Sequence, residues 1–342
     1  MQELWSIYHY EIPEFLCEFA AVPPMQRLKA VGMNCGCEYT SFPRFAGLRP
    51  YSRFDHSLGV ALIVWHFTGS VEQTLAGLFH DVTTPVFAHV VDFLHGDHMK
   101  QESTEAGVAE CLTSSGEVME LLRKYDILLD RVSDYHQYPV ADNDAPALSA
   151  DRLEYTLGNL WNYGFADLEQ IRTVYEDLIV GSNEVGETEL VFCTPETAAL
   201  FTRAALKNSH TYVADEDRFA MQALADLLRR AIERGLIRYE QLWTTEDVIL
   251  KQLKVDAVFK REWELFSRFS RILRSAEKPE YGYWVNIGAK KRWIDPYVVG
   301  AGRVSSWNAL AAEEIKELKD LSFDVWLSAE ADGAAEEKLE VF

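Results

Sequence analysis

Arg53-Phe54-Asp55-His56-Ser57-Leu58-Gly59-Val60 and Ala76-Gly77-Leu78-Phe79-His80-Asp81 are the stretches on which the reading of this chain turns. Each sets imidazole or carboxylate within a helix-patterned apolar run. Gly59 to Trp65 is apolar on all sides, as a buried helix would be. Val71, Leu75, Leu78 and Phe79 follow the i, i+4, i+7, i+8 stripe of an amphipathic helix. Downstream, Pro85-Val86-Phe87-Ala88-His89 and Ala150-Asp151-Arg152-Leu153-Glu154-Tyr155 add further chemistry-bearing residues. His56, the adjacent pair His80-Asp81, and Asp151 thus make a set of two nitrogens and two oxygens carried by three helices. Imidazole and carboxylate are the usual ligands of divalent transition metals. Four such donors leave coordination positions open, which separates a catalytic site from a structural one. Singly, each residue has a plainer reading. A lone histidine on an apolar helix is more often a hydrogen-bonded core residue, and an Asp-Arg pair is more often a cap with a salt bridge. The set as a whole is what points to a metal.

The surrounding chain reads as mostly helical. Leu121, Leu122, Tyr125 and Leu129 form one stripe, and Leu168, Ile171, Tyr175 and Leu178 another. Thr194-Pro195 predicts an N-cap followed by proline at the first helical position. A long helix through Phe219, Leu224, Leu227, Leu228 and Ile232 should stop at Gly235. Thr244 with Asp247 has the spacing of a capping box. Strand signals are few: a small hairpin within Leu178 to Val191, and a small sheet within the aromatic and β-branched stretch Tyr281 to Val299. The expected division is a helical core with a helical extension over residues 1–275, then a small mixed α+β segment over 276–342 with an acidic tail.

Composition bounds the function. The chain has 342 residues, a formal net charge of −21, 48% apolar and 25% charged residues. That is an ordinary globular composition, large enough to bury a core without disulfides. Five cysteines, odd in number and without a CxxC pair, suit reduced thiols in the cytoplasm. No apolar run approaches the roughly 20 residues of a membrane span. The acidic balance argues against nucleic-acid partners, so a phosphate-bearing ligand has to be small and held by a local basic or metallic site. Lys290-Lys291-Arg292 is a basic cluster against this background. It reads as a solvated hairpin turn, with a regulatory phosphate site as the sharper alternative. Trp243, Trp263 and Phe266 are compatible with core or with a homo-oligomer face.

The ordered set R-x-x-H-S-x-G-V, H-D, P-x-F-x-H and D-R-x-E-Y resembles the HD-domain metal-dependent phosphohydrolases. Within them it is most similar to the branch containing the dNTP triphosphohydrolases. The resemblance covers roughly residues 25 to 180, and more weakly continues to about 270. It implies an all-α HD-domain helical core with one divalent transition metal (Mn, Fe, Co, Ni or Zn) bound by His56, His80, Asp81 and Asp151. It further implies that Arg53 contacts substrate phosphate, for which the planar guanidinium fork is suited. A salt bridge with Asp55 is the plainer role for Arg53. The resemblance puts His89 near the phosphates, with Asp92 three residues on able to orient it. Arg152 and Tyr155 match positions lining a sugar or phosphate pocket, Tyr155 being equally readable as core. The segment Tyr39-Thr40-Ser41-Phe42-Pro43-Arg44 is expected to wall the pocket.

The chain departs from the branch at two places. Where the branch has Gly-His-Gly-Pro after the HD pair, this chain has Thr83-Thr84-Pro85-Val86, so Thr84 replaces a histidine. Where the branch has a His-Glu pair supplying the general acid, this chain reads Gln101-Glu102. Glutamine cannot donate a proton as an acid, which leaves Glu102, His98 or His89 for that role, with Asp81 as ligand and local base. The expected function is a metal-dependent phosphohydrolase acting on a nucleotide or other small phosphoester. Two alternatives stand beside it: a dinuclear-iron HD oxygenase drawing on His95, His98 and His136, and a non-catalytic metal-dependent nucleotide sensor. The ligand assignment predicts that His80→Ala loses bound metal whereas Gln101→Ala keeps it. Metal analysis of the two purified variants checks this, and full metal content in His80→Ala would overturn the assignment.

Overall fold

The computed structural model describes residues 1–96 and 107–333. More than half of the chain is helical, with two small sheets. The helix Arg53–Thr68 is central to the first of two large apolar cores. Ser52 starts it with a capping box: its hydroxyl accepts from the Asp55 amide, and the Asp55 carboxylate accepts from the Ser52 amide. Gly69, at φ +61°, ends it, and Ser70 caps the next helix, Val71–Phe79. So short a link folds the two helices back on each other. They approach most closely at Gly77, where an added Cβ would lie 3.3 Å from Val60 and 3.4 Å from Val64. The helix Ala150–Asn162, capped by Ser149, packs against the same central helix. These three elements carry His56, the His80-Asp81 pair at the end of the second helix, and Asp151.

The second core is built around the helix Asp215–Glu233, which meets the short helix Val90–His95 and the helix Ala257–Ser267. As its sequence predicts, it ends just before Gly235, at φ +72°. Trp263 and Phe266 are buried in this core, and Trp243 packs against it. The capping box expected at Thr244 does not form. The next helix starts at Glu246 with Thr245 as N-cap, because the Thr244 hydroxyl is spent on the Gln241 carbonyl of the preceding turn. The stripe ending at Leu129 also breaks early: the helix stops at Lys124, where Asp126 takes up φ +53°.

The expected hairpin is present as antiparallel strands Leu178–Ser182 and Thr188–Phe192. The expected sheet over Tyr281 to Val299 shrinks to Tyr297–Val298 and a bridge at Val285. Between them the chain forms no strand. Its backbone is tied instead by the Arg218 guanidinium on the Ile287 carbonyl and by the Asp295 amide on the Pro146 carbonyl. The strand Tyr297–Val298 joins the hairpin sheet, and Trp326–Ala331 pairs antiparallel with Phe269–Ser275. The division drawn at 275/276 therefore runs across both sheets. Among the described residues no helix is long and apolar enough to cross a membrane.

Close packing behind the helix Ala150–Asn162 gives a stability test. A Cβ at Gly158 would lie 2.4 to 2.9 Å from the hydroxyl and ring of buried Tyr51. Helix propensity alone favours Gly158→Ala by ~1 kcal/mol, but overpacking costs about 1–3 kcal/mol. Gly158→Ala is expected to lower the denaturant midpoint, with the slope unchanged.

Candidate metal centre

Three donor atoms converge. His56 Nε2 lies 3.1 Å from His80 Nε2 and 3.1 Å from Asp151 Oδ1, and His80 Nε2 lies 3.7 Å from the same oxygen. The other ring nitrogens are already committed. His80 Nδ1 is 2.7 Å from the Gly77 carbonyl, which can only accept, so it carries the proton. His56 Nδ1 is 2.6 Å from Glu154 Oε2 and donates to that carboxylate. Each ring therefore turns its Nε2 toward the other ring and toward a carboxylate, with a lone pair to offer wherever that nitrogen carries no proton. Lone pairs do not share such a space stably unless a cation or a proton lies between them. Bonds of ~2.0–2.2 Å to one ion put neighbouring ligands ~2.8–3.6 Å apart, close to the spacing seen. The donor set fits a divalent transition metal.

Asp81 stands at the edge of this cluster. Its Oδ2 is 3.7 Å from His80 Nε2 and 3.9 Å from His56 Nε2, and it accepts from Arg53 at 2.8 Å. Its other oxygen accepts from the Thr84 hydroxyl at 2.9 Å. Thr84 thus braces the Asp81 carboxylate. Burial disfavours the Asp81 carboxylate, but Arg53, His80 and His56 outweigh it and hold the group well below the usual carboxylate range. For Asp151, burial is overcome by the hydrogen bond and charge of His56, which bring it down to about 2. Burial would depress the His56 imidazolium, yet Asp151 and Glu154 raise it to about 10. The pocket is thus electrostatically built for positive charge.

Glu154 is fully buried and has no role in the sequence reading. It accepts from His56 and, at 2.5 Å, from the Tyr51 hydroxyl. Gly59 makes room for it: a Cβ there would meet Glu154 Oε1 at 2.5 Å. The signal was present, because Glu154 follows Asp151 by three and Gly59 follows His56 by three, each pair sharing a helix face.

The centre opens into a cavity of about 210 Å³ lined by Arg53, His56, His80, Asp81, His89, Asp151 and Tyr155. His89 gets there by a strained path. Phe87 and Ala88 precede it at φ +57° and +47°, and the Phe87 ring is buried in the second core. His89 Nδ1 lies 3.0 Å from Asp92, as expected, and burial lowers the imidazolium below its ordinary value. Asp92 itself is not among the lining residues. Arg152 is not there either. Its guanidinium binds the Ala147 carbonyl at 2.7 Å, Asn143, and Asp142 at 3.2 Å, so it braces the loop ahead of its own helix. The Tyr39–Arg44 stretch does not wall the cavity; Met33, Asn34 and Cys35 do, while the Tyr39 hydroxyl donates to Glu246. His98, Gln101 and Glu102 lie outside the described residues. Of the histidines proposed for a second metal, His95 meets the Tyr239 hydroxyl and exposed His136 meets Asp134 and Asp142. Sequence reasoning missed Asn159, Tyr163 and Tyr212, and it took Lys290 and Arg292 for a solvated turn. All five line the cavity.

No protein-family model matches the chain. It is 26% identical over 295 residues to "Uncharacterized protein YdhJ" of Bacillus subtilis, covering 84% of this chain and 85% of that one. It is 23% identical over 240 residues to "Metal-dependent phosphohydrolase cns2" of Cordyceps militaris, covering 68% and 66%. Among solved structures, a phosphohydrolase from Bacteroides thetaiotaomicron superposes with a TM-score of 0.63 at 15% identity, over 94% of this chain and 96% of that one. A hypothetical protein from Aquifex aeolicus does so with a TM-score of 0.63 at 16% identity, over 93% and 92%. The fold is thus shared with a solved phosphohydrolase, and one curated relative carries the name of a metal-dependent phosphohydrolase.

Partners that orient metal-ligating histidines typically carry ~10–100-fold of metal affinity. Glu154→Gln keeps the volume but weakens the acceptor for His56 Nδ1–H. It is expected to lower metal affinity by ~10-fold or more while leaving the helical circular dichroism spectrum unchanged, as read by competition with a metal chelator.

Proposed function

We propose that this protein is a metal-dependent phosphohydrolase acting on a nucleotide or another small phosphoester. One observation carries the reading: the converging donors His56, His80 and Asp151 open into the same cavity as Arg53, His89 and Tyr155. A divalent ion held by His56, His80, Asp151 and Asp81 supplies Lewis acidity toward a phosphoryl oxygen and acidifies water beside it.

The remaining steps belong to the chain. Arg53 is fixed by Asp81 through one terminal nitrogen, while its buried Nε has no hydrogen-bond partner among the described residues. The guanidinium lines the cavity, where its charge offsets charge developing on a phosphoryl group in the transition state. His89 is kept neutral by burial, with its Nδ1 proton held by Asp92. Its Nε2 therefore takes a proton from the reacting system instead of entering as an acid. Tyr155, Tyr163 and Tyr212 give the cavity aromatic surface for a base or another planar group. A cytoplasmic setting and a substrate smaller than a nucleic acid accord with the net charge and the free thiols.

The test is a phosphate-release screen across dNTPs, nucleoside monophosphates and simple phosphoesters, with Mn²⁺-loaded full-length protein. Release is expected on at least one class, falling ~100-fold or more in Asp81→Ala, on the scale of losing a key transition-state contact. Metal-loaded protein inert on the whole panel would overturn the hydrolase reading.

A further inference from the structure

Within 287–295 neighbouring side chains go to different places. Ala289 and Trp293 pack on a small apolar cluster with Leu206, Val213, Ile315 and Leu318. Lys291 points the same way, its ammonium on the Lys319 carbonyl and over the Phe323 ring. Lys290 and Arg292 point the other way and line the metal-centre cavity. The Arg292 charge bears on His89, Tyr155 and Tyr212, which line the same space.

Charge gives this wall a purpose. A divalent ion cancels Asp81 and Asp151. Asp217, the third acid on the lining, is raised by burial to about 8 and is largely protonated at neutral pH. Arg53, Lys290 and Arg292 put three basic side chains on the lining of one small cavity in a protein of net charge −21. The space, about 210 Å³, is below the roughly 300–1,000 Å³ of common ligand pockets, which suits one phosphoryl group better than a chain of three.

We propose that Lys290 and Arg292 form an anion-binding wall of the metal-centre cavity, and that the wall selects a phosphomonoester dianion, a nucleoside monophosphate or a molecule of similar size. The assignment rests on the metal-centre reading above, and it turns the basic cluster from a surface feature into a substrate-binding one. Ammonium and guanidinium groups do not ligate metal ions, so the two residues bind and orient the phosphoryl group rather than hold the ion.

The experiment uses full-length Mn²⁺-loaded protein with inorganic phosphate as probe, followed by calorimetry, alongside kinetics on whichever phosphoester is turned over. Arg292→Gln and Lys290→Met remove charge with little change of shape. Each is expected to weaken phosphate binding ~10-fold or more, the scale of a charge-assisted hydrogen bond, and to raise KM more than it lowers kcat. Metal content should stay at the wild-type level. Arg292→Lys should recover part of the loss, and Lys291→Met should match wild type. Phosphate binding in Arg292→Gln and Lys290→Met within twofold of wild type would overturn the proposal, even in an active hydrolase. Conversely, loss of phosphate binding in those variants of a protein that hydrolyses nothing would sustain the wall and overturn the hydrolase reading.

Discussion

The hydrogen bond from His56 Nδ1 to Glu154 is the constraint on which the centre depends. It fixes the tautomer of a buried imidazole and so decides which nitrogen faces the metal. The Gly77 carbonyl does the same for His80. Neither acceptor can be moved cheaply, because Glu154 sits in a space that exists only because residue 59 has no side chain. Tyr51 closes the other side of the same carboxylate and in turn needs Gly158 beneath it. Two glycines, a tyrosine and a glutamate thus stand behind one ligand, and the packing of the central helices and the chemistry of the centre are one problem.

A second constraint lies in the backbone before His89. Two consecutive non-glycine residues in the left-handed region cost of order 1–3 kcal/mol each. The surrounding core has to hold them there, and it does so through the buried Phe87 ring and the hydrogen bond from the Val86 amide to Leu242. The second core therefore acts on the cavity through strain, while the first acts through ligands.

The convergence of His56, His80 and Asp151 was legible in the sequence because each sits in a local helical pattern that fixes its direction. His56 lies on a buried helix face, Asp151 in the first turn of its helix, and His80 ends an amphipathic stripe. The neighbours of that set were less legible. An Asp-Arg dipeptide looks the same whether the arginine enters the cavity or turns back on its own loop, and Arg152 turns back. Thr84 looked like a loss until its hydroxyl was found on Asp81. Lys290 and Arg292 were invisible as cavity residues because their position depends on pairing with elements far away in sequence. The strand signal at Tyr281 to Val299 held only at Tyr297–Val298 and the bridge at Val285, because the rest of the stretch has no strand to pair with.

The late pairing of Trp326–Ala331 with Phe269–Ser275 has a consequence for a shortened chain. All four metal-ligand candidates lie before residue 152, far upstream of this pairing. The stretch bearing Lys290 and Arg292 is tied to earlier residues through Arg218 and Pro146, and its leading edge to the last described strand through the Val285–Leu327 bridge. A chain cut before that strand would therefore keep every metal-ligand candidate while losing part of what holds the basic wall in place.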